Sequence, residues 1–249
     1  MNLFGYTRLL LLALYFSFLS TGLTAQTAAK DSVFYNQVLN QAAIGYQQMM
    51  ADESRLINGA QYAGYPFSFI KGHQFFDSTV SYKGTIVYDH IFYQDIQLQY
   101  DEIADLVIVH NNFRKIELSS ERISRFTIMG NKFARIEKNS NSSSSIGKTG
   151  FYQVLYEGKI HVYKKEVKEI FDELTSDQGV LHRILVTEYY FIKKDNSYLP
   201  VGKKKDLLNA YKDKRKEIRE YISSKHLSYR EDKEELILKV SEYYDQITN

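Results

Sequence analysis

Residues 81–118, SYKGTIVYDHIFYQDIQLQYDEIADLVIVHNNFRKIEL, decide the fold of this chain. Val, Ile, Leu, Tyr and Phe either alternate with polar residues or form four-residue runs, and no helical stripe persists. That period of two, with β-branched and aromatic residues broken by Asp, Asn and Gly, predicts an antiparallel meander. The pattern continues through RISRFTIMGNKFARIE (122–137) and FYQVLYEGKIHVYKK (151–165). Turns are expected at Lys83-Gly84, Asp89-His90, residues 101–105, Asn111-Asn112, Gly130-Asn131 and Glu157-Gly158. At the last of these, Gly would supply the positive φ of a two-residue hairpin turn. Residues 119–122 can form one helical turn. The run NSNSSSSIGK (139–148) reads as a surface loop.

Before the meander, residues 56–76 read as irregular to extended, with Asn58-Gly59, Gly64 and Pro66 as breakers. One or two strands there are expected to pair with the sheet's edge or mouth. After it, residues 167–174 predict a short helix, 180–193 a strand, and 195–197 a turn into Tyr198-Leu199-Pro200-Val201.

The two ends are helical. From Asp31 to about Arg55, Val33, Phe34, Val38, Ala42, Tyr46 and Met49 recur at steps of three and four, an apolar face suited to lie on a sheet. At the other end Asp206 can cap a helix carrying Leu207, Leu208, Tyr211, Ile218, Tyr221 and Ile222. A break at 223–228 precedes a second helix carrying Leu236, Ile237, Val240, Tyr243 and Tyr244. Residues 203–226 hold nine Lys+Arg against four Asp+Glu, and 227–249 hold three against six. Antiparallel helices of opposite charge would complement each other. The fold class is therefore α+β: an N-terminal helix, an antiparallel meander forming a twisted sheet or an open barrel, and a C-terminal helical hairpin. The expected organisation is a leader at 1–25, the helix at 26–55, the β-rich domain at 56–201 and the hairpin at 202–249.

Residues 1–25 have the layout of a secretory signal. Arg8 is the sole charge, 9–18 are apolar, and Leu23-Thr24-Ala25 make a small-residue exit. The apolar run is short of the roughly 20 residues that span a bilayer. The mature chain is thus expected to be exported, periplasmic or secreted, and not membrane-spanning. The chain has no Cys, which excludes disulfides, thiolate metal sites and a lipid-bearing cysteine. Without Arg8 the formal charge falls to +1, too little field to expect a nucleic-acid partner.

The order LINGAQY, KGHQFF, GTIVYDHIFYQDIQLQYD, GFYQVLYEGKIHVYKK, a Tyr-rich hairpin and KDLLNAYKDKRKEIREYI resembles a family of uncharacterised exported proteins from Bacteroidota. The resemblance covers most of the mature chain. It implies export and carries no activity with it.

Sequence chemistry points away from several enzyme classes. There is no GxSxG elbow and no HExxH, and Gly147-Lys148-Thr149 lacks the upstream Gly of a phosphate loop. His73, Asp77, Asp89, His90 and His110, with Asp101 and Asp105, could supply imidazole and carboxylate ligands to a divalent ion. The same acidic turns could hold a glycosidase-like carboxylate pair, although turns favour Asp for local hydrogen bonding. Aromatic segments containing Tyr62, Tyr65 and Phe67, and Tyr189 and Tyr190, are candidate anchors for an envelope protein or a glycan. No cofactor is expected. The expected function is a non-enzymatic envelope binding or scaffold protein, with a metal- or glycan-binding protein, including a hydrolase, as the alternative.

Overall fold

The computed structural model describes residues 38–46, 55–112, 114–138 and 146–248. The chain divides into two units, residues 1–52 and 53–249. In the first, residues 38–46 are helical; the rest of the helix expected from Asp31 to Arg55, and its packing, lie outside the described residues.

The second unit is an open, mostly antiparallel twelve-stranded sheet with helices at its C-terminal end. Its strands are β1 (Ala60–Gln61), β2 (Phe69–Lys71), β3 (Tyr82–Tyr88), β4 (Ile91–Asp101), β5 (Leu106–Asn111) and β6 (Arg114–Glu117). They are followed by β7 (Ile123–Ile128), β8 (Asn131–Ile136), β9 (Gly150–Glu157), β10 (His161–Thr175), β11 (Gly179–Lys194) and β12 (Ser197–Pro200). The spatial order is β1-β6-β5-β4-β3-β7-β8-β9-β10-β11-β12, with β2 added in parallel to β11. The chain thus runs outward from β3 to β6, returns to lay β7 beside β3, and meanders on to β12. The expected edge strands in 56–76 are β1, on β6, and β2, on β11.

Local turn chemistry explains this winding. Asp89-His90, Met129-Gly130 and Asp195-Asn196 have positive φ at both central residues, matching the right-handed twist of a hairpin. The turn expected at Gly130-Asn131 therefore sits one residue earlier, at Met129-Gly130. Two glycines serve another purpose. Gly84 lies within β3 rather than in a turn, where a Cβ would stand 2.0 Å from the Thr127 carbonyl oxygen of β7. Gly158 leaves room for Asp245, whose Oδ2 would lie 2.0 Å from a Cβ there and accepts the Lys159 N–H (2.8 Å) and the Tyr156 hydroxyl (3.0 Å).

Residues 167–174, where a short helix is expected, are strand. Val167, Ile170, Phe171 and Leu174 have helical spacing, but each pairs across to β11, where Val180, Ile184, Val186 and Thr187 are β-branched. β10 and β11 form an unbroken ladder of fifteen residue pairs, from His161↔Lys193 to Thr175↔Gly179. β9 pairs only with residues 161–164, and β12 only with 191–194. The remainder of this hairpin runs past both neighbours.

Helices α1 (Lys204–Ala210), α2 (Arg215–Ser224) and α3 (Lys233–Ile247) follow. The first expected helix is thus split near Tyr211, where φ −111° and ψ 41° leave the helical region. Asp206 caps α1 from within, accepting the N–H groups of Gly202 (3.2 Å) and Lys203 (2.9 Å). Asp232 caps α3, accepting the Glu235 N–H at 2.7 Å. The helices pack on the sheet: Leu207, Tyr211, Ile237 and Val240 form one buried cluster with Val162 and Ile192. Helix contacts are aromatic, with Tyr211 stacked on Tyr244 (4.6 Å) and Tyr221 on Tyr243 (4.1 Å). Among the described residues the helices' ion pairs run within a helix or to the strands, as in Lys194–Asp213, rather than between α2 and α3. No described helix is long and apolar enough to cross a membrane. A second core gathers Ile86, Leu98, Tyr100, Phe126, Phe133 and Phe151.

The tight β3–β7 approach yields a test. Gly84→Ala should cost roughly 1–3 kcal/mol by overpacking and lower the melting temperature by several degrees, measured by calorimetry. Gly130→Ala meets nothing within 4 Å and should cost only the strain of its positive φ.

Candidate functional site

The turn from β4 to β5 carries three carboxylates. Asp101, fully buried, accepts the Ile103 and Ala104 N–H groups at Oδ1 (2.9 and 3.0 Å), the local bonding that turns require of Asp. Its Oδ2 accepts the Tyr62 hydroxyl at 2.6 Å, and Tyr65 approaches Oδ1 at 3.4 Å. Burial, then the Asp101 carboxylate beside them, pushes both phenols well above the usual range. The neighbouring segment is a ring cluster. Tyr65 and Phe67 each lie 5.6 Å from Phe69, Tyr62 lies 6.2 Å from Phe75, and Phe67 stacks on His182 of β11 at 3.8 Å. Asp172 in turn accepts from or pairs with His182 Nδ1 at 2.8 Å.

The other two carboxylates hold β10. Asp105 receives the Lys165 ammonium at 2.6 Å and the Tyr100 hydroxyl at 2.5 Å. Lys165 also donates to the Phe151 carbonyl (2.9 Å). Glu102, 4 % exposed, lies with Oε2 3.0 Å from Lys168 Nζ, off the line of a hydrogen bond, so that Oε2 is buried without a hydrogen-bond partner. Lys168 donates instead to the Phe75 carbonyl at 2.6 Å and sits 3.8 Å from Glu166. Burial and then the negative Glu166 raise the Glu102 pKa to about 7, against the pull of Lys168. Strand alternation places Lys165 and Lys168 on opposite faces of β10. The turn therefore meets the strand at its edge, with one lysine reaching it from each face.

The residues singled out from the sequence are distributed as follows. Tyr62, Tyr65 and Phe67 come together in the ring cluster. Tyr189 and Tyr190 are neighbours on β11 and face opposite sides: Tyr189 is half-exposed, whereas Tyr190 is buried, its hydroxyl donating to Glu188 (2.9 Å) and Glu234 (3.0 Å). Tyr190 belongs to the core cluster beneath the C-terminal helices. Asp89 and His90 form the β3–β4 turn, with Asp89 held by Arg122, which keeps its carboxyl below the usual range. Asp77 accepts from Tyr82 at 3.4 Å. His110 contacts Gln99 Oε1 at 2.7 Å, and burial followed by Lys115 lowers its pKa. His73 has Nδ1 buried without a hydrogen-bond partner. Among the described residues, no three His, Cys, Asp or Glu side chains stand close enough to hold a metal ion; these five do not form one ligand set.

Sequence reading missed Glu102, Glu166, Lys165, Lys168 and His182. The available signal was KKEVK at 164–168 in a strand context, since charge at both parities of a strand requires partners on both faces. Compared with known proteins, the chain matches no family model, no curated protein and no solved structure.

The ionic seam has a pH signature. With its folded pKa raised from 4.5 to about 7, Glu102 binds a proton in the native state that the unfolded chain releases between those values. Its contribution to stability therefore rises as pH falls from above 7 toward 4.5, by on the order of 2–3 kcal/mol. Denaturant titrations at pH 8 and pH 5 should show this gain in the wild type relative to Glu102→Gln; parallel pH dependences would contradict it. Lys168→Met, which strands Glu102, should destabilise the protein by about 3–5 kcal/mol at pH 8 and by less at pH 5.

Proposed function

We propose that the protein is an exported, non-enzymatic binding or scaffold module of the cell envelope, and that the β10–β11 hairpin is its contact element. The observation that carries this reading is the hairpin's surface. Phe171, Val180, Leu185, Val186 and Tyr189 are about half-exposed, and Leu174 is 82 % exposed. Large apolar side chains gathered on one projecting element are interface material. They sit on a support that is fixed at several points: Lys165 and Lys168 grip the β4–β5 turn, Phe67 stacks on His182, and β2 pairs with β11. A rigid presenting element loses little conformational entropy on binding. Export rests on the layout of residues 1–25.

The ring cluster favours a second reading. Tyr65, Phe67 and Phe69 are partly exposed beside an acidic turn, and aromatic faces edged with carboxylates suit a glycan. The two readings separate in one experiment. Photo-crosslinker placed at Phe171 and Leu185, with Lys216 on α2 as control, should yield a discrete protein adduct in native envelope extract from the hairpin positions alone. Combining Phe171→Ser, Leu174→Ser and Leu185→Ser should prevent competition by unlabelled protein while leaving stability within about 1 kcal/mol, since exposed sites contribute little to folding. Adducts equal at all three positions would contradict the hairpin reading. Thermal shift by oligosaccharides that Phe67→Ala abolishes would favour the glycan reading.

A further inference from the structure

The distal hairpin has two unlike edges. On the β11 side, β2 pairs at His182 and Arg183, and β12 at 191–194. On the β10 side, β9 covers 161–164 and the β4–β5 turn covers the strand around Lys165 and Lys168. From 169 to 175, no strand pairs with this edge among the described residues. Seven residues make an edge of roughly 23 Å. Exposed strand edges are templates for another chain, and proteins blunt them with charged side chains, proline, bulges or a covering segment; here the guard is acidic charge, which repels like-charged strands and admits basic ones. Residues 169–175 contain no proline, and the ladder to β11 stays in register throughout.

Charge narrows what fits. Residues 169–183 carry Glu169, Asp172, Glu173 and Asp177 against the single cation Arg183. The lysines of β10 are turned to other work, Lys164 toward Glu188 and Glu234, Lys165 and Lys168 toward the turn. Glu173 is met by Arg183 and Asp172 by His182, while Glu169 has no ion-pair partner among the described residues. A second copy pairing antiparallel through this edge, centred on it, would set Asp172 against its equivalent and Glu173 against Phe171, with no cation on the added edge to meet either acid, which destabilises a sheet.

We propose that residues 169–175 form a docking edge for an extended segment of another protein that interleaves Lys or Arg with apolar residues, taken up as an additional strand. Resting on the reading of the hairpin as the contact element, this names the partner's chemistry. Read along β10, the added strand meets Glu169, then Ile170 and Phe171, then Asp172 and Glu173, then Leu174. An antiparallel complement is Thr-Val-Lys-Lys-Val-Val-Lys. Main-chain hydrogen bonds would supply affinity and the alternating side chains register, as in other strand-addition complexes.

The test is titration of the ¹⁵N-labelled protein with that heptapeptide, and with its counterpart carrying Glu for Lys. Saturable amide shifts confined to 169–175 and the facing part of β11 are expected with the Lys peptide, and at least tenfold weaker shifts with the Glu peptide. Glu169→Lys, which breaks no internal pair, should weaken the Lys peptide about two- to fivefold. The triple variant with Asp172→Lys and Glu173→Lys should reverse the preference. Equal response to both peptides, no response at millimolar concentration, or shifts centred elsewhere would overturn the proposal. If hairpin crosslinks form in envelope extract while the peptide leaves 169–175 unmoved, the docking edge fails and the contact element stands. Loss of both removes both.

Discussion

Two lysines three residues apart on one strand fix how the projecting hairpin meets the rest of the sheet. Lys165 reaches Asp105 and Lys168 reaches toward Glu102, from opposite faces of β10 and across some sixty residues of chain. Between them they clasp the β4–β5 turn to the strand at the place where β9 ends. Burying these charges costs desolvation, offset where hydrogen bonds are complete and left uncompensated where they are not. Asp105 belongs to the first kind, satisfied by Tyr100 and Lys165. Glu102 belongs to the second, and its raised pKa is the electrostatic mark of that deficit.

Around this clasp the molecule divides its labour. The two meanders and their aromatic core, with Phe126 stacked on Phe133 at 4.7 Å, give a stiff base. The C-terminal helices cover the foot of the β10–β11 hairpin through Val162, Tyr190 and Ile192. The distal hairpin is left with one edge paired by β2, one face shielded by Phe67 and Gly72, and apolar side chains toward solvent. Fastening the base while exposing the tip is an arrangement suited to presentation.

Much of this was legible in the chain. Alternation and short apolar runs within 82–100, with the Asp, Asn and Gly breaks, predict the meander, because turn chemistry is local and needs no tertiary context. The C-terminal helices are legible for the same reason, through apolar spacing and the cap Asp206. Residues 167–174 misled because Val167, Ile170, Phe171 and Leu174 fit a helical stripe, and only pairing with the β-branched residues of β11 decides between the two. Gly84 and Gly158 read as turn residues, yet the reason for each lies in a backbone or carboxylate brought close from far along the chain. Tyr189 and Tyr190 look equivalent until strand parity assigns one to solvent and one to the core. The ionic seam was the least legible part, since its partners come from β4–β5 and β10 and no local spacing joins them.

Presentation by the hairpin requires it to be an ordered element held by its lysines, and amide hydrogen exchange measures this directly. The cross-strand amides of 167–175 and 179–187 should exchange orders of magnitude more slowly than an unstructured chain, and Lys168→Met should release them while leaving β3–β5 protected. Exchange of those amides at unstructured rates in the wild type, or equal protection with and without Lys168, would contradict it.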